Sequence, residues 1–350
     1  MGYAATAYVD DAIEATRGFL FPVDRGRWLR LAIVAFFVAA GAGAGSLPST
    51  GVQYTFGSAD FDVEWPGGPP SEWSLSAIPE AVWLLLGALV LAILALALLF
   101  GVVGAVMEFV LVEAIRTETV RIRGPFRRYL RAGLSLFVFQ AALFVGLLAI
   151  PLGAVALFVV LPTVAGGATA AALVGLGLLV AMFALLLLLV VALVNGLTVE
   201  MVVPVMVAEE CGIVAGWKRF WPILRGNLAE FAVYVVLRWV ITVAIGFVGS
   251  TVAGILAAIV GVPLLLLGGS LFLGTGGALT PLTVVTYAVL LVAFVLVVTA
   301  LGAIVQAPLQ AYARYYELLV LGDIAPEYDL VEERRRALRS SPGESADGSA

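Results

Sequence analysis

Arg238, Glu108 and Glu200 are the residues of this sequence best placed to do chemistry. Each lies inside, or at the edge of, a long apolar run. An ionised side chain in hydrocarbon is costly and is by default a functional hypothesis. If a membrane span begins near Leu228, Arg238 lies about 15 Å along it, at ~1.5 Å per residue. A guanidinium at that depth needs a partner, and the carboxylates of Glu108 and Glu200 close two other apolar runs. Such a cluster can serve as a polar or anion site in the inner half of a helix bundle. It can equally be a structural ion pair, or an arginine whose long stem returns its head to the interface. Gln140, Asn195, Gln306 and Gln310 fall within or near the same runs, where interhelical hydrogen bonds of ~1 kcal/mol or less account for them.

Other chemistries lack their residues. The sequence has no histidine, which removes the commonest general base and metal ligand. Its single cysteine, Cys211, cannot close an intrachain disulfide. Phosphate-loop, zinc-ligand and nucleophile-elbow patterns are missing. "GLGLL" at Gly175 and "GTGG" at Gly274 have no strand–turn–helix context. Accordingly no catalytic, cofactor-binding or metal-binding residue is assigned. The protein is expected to be a non-enzyme without cofactor or nucleic-acid partner.

The elements that must position the charged cluster follow from composition. Of 350 residues, 62% are hydrophobic and only 12% charged, with mean hydropathy +1.10. Soluble domains are about half apolar and a quarter charged. The expected fold is all-α: a polytopic membrane bundle of about six spans. The candidate spans are 31–45, 81–106, 132–161, 170–194, 228–249 and 282–305, each judged against the ~20 residues that cross ~30 Å of hydrocarbon. The first is short unless Arg30 reaches the interface. The fifth belongs to a run to residue 267 that Gly246, Gly249 and Gly254 can break and Pro263 should end.

Cations set the orientation. Arg17, Arg25, Arg27 and Arg30 precede the first span. Arg116, Arg121, Arg123, Arg127, Arg128 and Arg131 lie between the second and third, and Lys218, Arg219 and Arg225 between the fourth and fifth. Arg314 and the cluster Arg334, Arg335, Arg336 and Arg339 follow the last. The opposite connections, 46–80, 162–169 and about 268–281, have neither Lys nor Arg. Cytoplasmic loops carry the Lys/Arg excess, so six spans across the cell membrane put both termini in the cytoplasm. Three parts result: a cytoplasmic amphipathic segment 1–30, a six-span domain 31–320, and a cytoplasmic polar tail 321–350 that is disordered at its end. Arg30, Arg127, Arg128, Arg131, Lys218, Arg219 and Arg225 are the candidate contacts to lipid headgroups.

Smaller features complete the reading. Residues 3–20 pattern as an amphipathic helix, with Tyr8, Val9, Ala12, Ile13 and Phe19 on one face; it lies in the interface or packs on the bundle. The exterior loop 46–80 alternates like a small β-hairpin in "VQYTF" and "FDVEW", and its acidic residues suggest a solvated cap rather than a cation site. "GAGAGS" is shaped like a cleavage site, but the acidic leader before it argues against processing. "LRLAI" (Leu29), "LRAGL" (Leu130) and "LRGNL" (Leu224) suggest three hairpin repeats.

"FLFPVDRGRWLRLAIVAFF", "MEFVLVEAIR", "VRIRGPFRRYLRAGLSLFVFQ" and "GWKRFWPILRGNLAEFAVYVV" together resemble a group of uncharacterised haloarchaeal multi-pass membrane proteins. More distantly, they are similar to the membrane domain of some glycerophosphodiester phosphodiesterases. The resemblance covers residues 19–320 and implies a membrane scaffold without phosphodiesterase chemistry, whose histidines are missing. A non-enzymatic scaffold or partner-binding protein is therefore expected first, with membrane lipids and other membrane proteins as partners. A small-solute or lipid transporter comes second and a lipid-acting enzyme third. A water-accessible cavity lined by Arg238, Glu108 and Glu200 would favour the second.

Overall fold

The computed structural model describes residues 4–22, 24–41, 80–164, 170–274 and 281–340, and among these every long element is helical. Helix α1 spans Ala4–Leu20, α2 Arg25–Gly41, α3 Glu80–Arg116 and α4 Arg123–Val164. Helix α5, Ala170–Leu197, passes through a π-helical turn at Thr198–Val202 into α6, Val203–Glu209. Then come α7 (Ile213–Gly226), α8 (Leu228–Gly274), α9 (Pro281–Ile324) and the short α10 (Glu332–Ser340). The proposed hairpin in 46–80 lies outside the described residues, apart from Glu80, as do residues 341–350 of the tail.

Among the described residues, five stretches are long and apolar enough to cross a membrane: Val90–Arg116, Arg123–Ala149, Gly175–Glu209, Leu228–Gly274 and Val285–Ile324. Helix α2, with 17 residues, reaches about 26 Å at ~1.5 Å per residue, short of the ~30 Å hydrocarbon layer. Its sequence beyond Gly41 lies outside the described residues.

The helices overrun their expected ends. Helix α4 continues through Pro151 and Pro162, and α8 through Gly246, Gly249, Gly254 and Pro263 without a break. A proline removes one backbone donor, and glycine weakens a helix mainly where water competes for the backbone. Where the surroundings are apolar, unpaired backbone groups cost more than the local loss of propensity, so the helix persists. Two glycines also serve packing: a Cβ on Gly249 would stand 3.3 Å from Leu309, and one on Gly261 3.1 Å from Phe294. These glycines let α8 and α9 approach closely. Helix α9 likewise runs on from the expected end at Val305 to Ile324, which carries Arg314 into the bundle.

The packed core is gathered at one end of the long helices. Phe109, Leu111 and Ile115 of α3, Leu136 of α4, Met201 to Val207 of α5–α6, Phe220 of α7, Tyr234 of α8 and Tyr315 to Leu321 of α9 are all buried. Toward the other end the side chains face outward, as Leu178, Met182, Leu185 and Leu189 do on α5, and Phe247, Leu265 and Leu273 on α8. Extended apolar surface of this kind marks contact with lipid or another protein.

Helix α1 packs on the bundle. Tyr8, Ala12, Ala15 and Phe19 are buried, and Tyr8 donates to Asp323 of α9 at 2.9 Å. Ile13, expected on the same face, points outward instead. The inward stripe runs through positions 8, 12, 15 and 19, a strict helical period that leaves Ile13 behind it. The three arginine segments also differ locally. Leu29 and Leu130 lie within α2 and α4, whereas "LRGNL" straddles the break between α7 and α8, where Asn227 donates its side-chain amide to the Ile223 carbonyl at 3.1 Å.

Candidate functional site

Four helices carry charged residues to one level. Glu108 lies eight residues before the end of α3, Glu200 nine before the end of α6, and Arg238 ten after the start of α8. Arg314 and Glu317 lie ten and seven before the end of α9. At ~1.5 Å per residue, all five fall about 10–15 Å from the same end of the bundle. This common depth lets residues more than two hundred positions apart form one cluster.

The cluster is an alternating chain: Glu108, Arg314, Glu317, Arg238, Glu200. Arg314 forms a salt bridge with Glu108 and lies 3.0 Å from Glu317. Glu317 is shared, its other oxygen lying 3.1 Å from Arg238. Arg238 is 3.0 Å from Glu200, and the Tyr234 hydroxyl donates to the second Glu200 oxygen at 2.6 Å. Arg238 also donates to Thr242 on its own helix. Arg314, Glu317 and Glu108 are all at most 5% exposed. At 3–4 Å and an effective dielectric of about 20, each such contact amounts to roughly 4 kcal/mol before desolvation is subtracted. The charges therefore hold one another in place, and none can be removed alone without leaving a buried partner.

The π-helical turn explains how Arg314 is seated. Val203 donates its amide to the Thr198 carbonyl, five residues back. In that register the Val199 carbonyl would need the amide of residue 204, which is proline. The orphaned carbonyl accepts from Arg314 at 2.9 Å instead. Pro204 thus opens an acceptor next to Glu200 for an arginine on another helix. Such turns recur at functional sites.

A cavity of about 300 Å³ adjoins the chain, lined by all five charged residues. Gln140, Asn195, Thr242 and Gln310 add polar wall, and Val38, Leu189, Leu193 and Trp239 form its apolar side. At ~30 Å³ per water, the space is that of about ten waters or one small solute. Two buried atoms beside it, Glu317 Oε2 and Arg238 Nε, make ionic contacts at 3.0 Å without an aligned hydrogen bond.

The three residues singled out from the sequence thus come together, but not as a simple triad. Arg238 pairs with Glu200 and Glu317, and Glu108 is held by Arg314. Arg314 and Glu317 were missed as site residues because ending the last span at Val305 placed them in the cytoplasm. The available signal was "ARYYE", an Arg/Glu pair at i, i+3 in an otherwise apolar helix.

The candidate headgroup contacts divide. Arg128 pairs with Glu210 and lies 3.8 Å from Glu113, Arg219 pairs with Glu209, and Arg30 donates to the Val120 carbonyl at 3.4 Å. Arg127, Arg131, Lys218 and Arg225 are exposed, and Arg225 stacks on Trp221 at 4.8 Å. Glu209, the last residue of α6, and Glu210 after it thus pair with arginines of α7 and α4, exposed contacts worth about 0–1 kcal/mol each. Cys211, in the turn after them, has its thiol pushed up from the ordinary value, chiefly by desolvation. Among the described residues no group of His, Cys, Asp and Glu is arranged to hold a metal ion.

Fold and site together define a class: a protein whose described residues are helical, with five helices among them of membrane-spanning length and apolarity, packed around a largely buried ion chain beside a small cavity. The chain belongs to a family of unknown function, DUF7544, whose model matches residues 3–331. No curated protein and no solved structure matches it.

Proposed function

We propose that this protein is a multi-pass protein of the cell membrane that binds a small monocation in its central cavity and admits it to the bilayer interior as part of a solute-transport system. One observation carries the reading: the cavity is lined by three carboxylates and two guanidiniums, a net charge of −1 when all five are ionised. A buried charge without a counterpart is strongly unfavourable, so the chain is one positive charge short. A proton or a small cation completes it. That charge balance supports a cation site over the polar or anion site that the sequence left open. A non-enzymatic scaffold, the first expectation, gives no reason for a polar cavity at this depth, and so ranks second.

The topology that goes with this proposal has six spans in three hairpins, with α2 and its continuation as the first and both termini in the cytoplasm. The basic end of the bundle then faces inward, and the ion chain lies in the inner half of the membrane. No reaction is proposed, because the cavity combines ion-paired carboxylates with no histidine or thiol. The likeness to the membrane domain of phosphodiesterases bears on this scaffold alone.

The test is binding by the purified full chain in nanodiscs, with methylammonium, choline and guanidinium as cationic probes and acetate as the anionic control. Saturable binding of at least one cation, lost in Glu317→Gln, supports the reading. Binding of acetate alone, or cation binding indifferent to Glu317→Gln and Glu200→Gln, overturns it.

A further inference from the structure

Helix α7 is amphipathic in an unusual way. Its buried face, Ile213, Gly216 and Phe220, packs on α6 and α8; a Cβ on Gly216 would come within 2.9 Å of Met206 and Val202, and Phe220 meets Phe231 edge-on at 5.4 Å. Trp217 donates to Thr198 at 3.1 Å, fixing the helix against the π-helical turn. The opposite face presents Val214, Lys218, Trp221 and Arg225, spaced four, three and four residues apart and all exposed. These residues form one stripe along the helix.

Between this stripe and Phe139 of α4 lies a groove of about 420 Å³, lined by Phe139, Ile213, Val214, Trp217, Lys218 and Trp221. Five of the six are apolar or aromatic, and Lys218 is the sole charged lining residue. The acidic residues nearby are already engaged, Glu209 with Arg219 and Glu210 with Arg128. Lys218, the one lysine in the sequence, has no ion pair or hydrogen bond among the described residues. Arg225, one turn beyond Trp221, lies over that ring. Phe139 belongs to a helix apolar enough to span the membrane, so one wall of the groove continues into the hydrocarbon-facing surface.

We propose that the groove seats one anionic phospholipid. Its phosphate sits on the Lys218 ammonium, and its acyl chain runs along Val214, Trp217 and Phe139. Charge complementarity selects the occupant. A compact ammonium attracts a phosphate as a point charge, whereas a zwitterionic headgroup brings its own cation against Lys218. Trp217 and Trp221 suit the same depth, since tryptophan rings favour the boundary between headgroups and chains. The site does not depend on what the central cavity binds.

The test uses the full chain in detergent micelles, titrated with phosphatidylglycerol or phosphatidylcholine carrying brominated acyl chains, while tryptophan fluorescence is followed. The part of the quenching lost in Trp221→Phe reports the groove. Phosphatidylglycerol is expected to quench that part at roughly fivefold lower concentration, as one lysine near an anionic surface contributes ~1 kcal/mol. Lys218→Gln should abolish the preference and Lys218→Arg keep it, both with unchanged thermal unfolding because the side chain is exposed. Equal quenching by the two lipids, or a preference that survives Lys218→Gln, overturns the proposal. So does full displacement of the lipid by sn-glycerol 3-phosphate, which would mark a site for soluble phosphates.

Discussion

Replacing Arg314 by Met tests the ion chain most directly. Arg314 is 4% exposed, and its guanidinium holds three acceptors: Glu108, Glu317 and the Val199 carbonyl. Methionine nearly fills the space but leaves Glu108 without its partner and changes the net charge of the chain from −1 to −2. Breaking a buried pair from one side costs about 3–5 kcal/mol, and the orphaned carbonyl adds roughly 1–3. The single variant should therefore lose about 4–6 kcal/mol, the carbonyl term being partly relieved by water from the cavity. Removing the abandoned carboxylate as well, in Arg314→Met with Glu108→Leu, restores a net charge of −1. The double variant should then recover about 2 kcal/mol or more relative to additivity, within the range found for contacting residues. Reversible unfolding of the four proteins in mixed micelles measures the cycle. Additivity within about 0.5 kcal/mol, or an Arg314→Met variant as stable as the parent, would refute the claim that these charges act as a unit.

Three further outcomes follow from packing, burial and the proposed orientation. Gly133→Ala should destabilise by about 1–3 kcal/mol, as overpacking does, because the new Cβ would stand 2.5 Å from the Val106 side chain and 2.7 Å from its Cα; thermal unfolding measures it, and Gly146→Ala, with open space around it, is the control. Cys211 should alkylate slowly at pH 7 and faster as the pH rises above the ordinary thiol range: its raised pKa keeps the thiolate fraction low until the solution is alkaline. In intact cells a membrane-permeant maleimide should label Cys211 while an impermeant one does not, and labelling by the impermeant reagent would reverse the proposed orientation.

How much of this was legible in the sequence differs by element. The positions of the long helices were, because runs such as 170–194 leave no alternative to a helix in an apolar medium. Their ends were not. Proline and glycine are read as stops by rules calibrated where water competes for the backbone, and α4 and α8 ignore Pro162 and Pro263. Reading the last helix as ending with its span hid two of the five charges: past Val305, Arg314 and Glu317 looked like charges outside the bundle. Arg238, Glu108 and Glu200 were visible because a lone ionisable residue in an apolar run is conspicuous. Their pairing was not, since it depends on which helix faces bring them together.

What the sequence determined by itself was a matter of solvent and composition: helical class, apolar length, the sorting of cations into alternate connections, and the want of histidine chemistry. These properties belong to single segments and need no knowledge of neighbours. Tertiary structure decided the rest. It set the common depth of five charges on four helices, and it let Pro204 free a carbonyl that only a residue 115 positions away could fill. It also left one carboxylate in excess beside a cavity. Charge balance in a buried cluster is a sum over residues distant in the chain, so it exists only once the helices have packed.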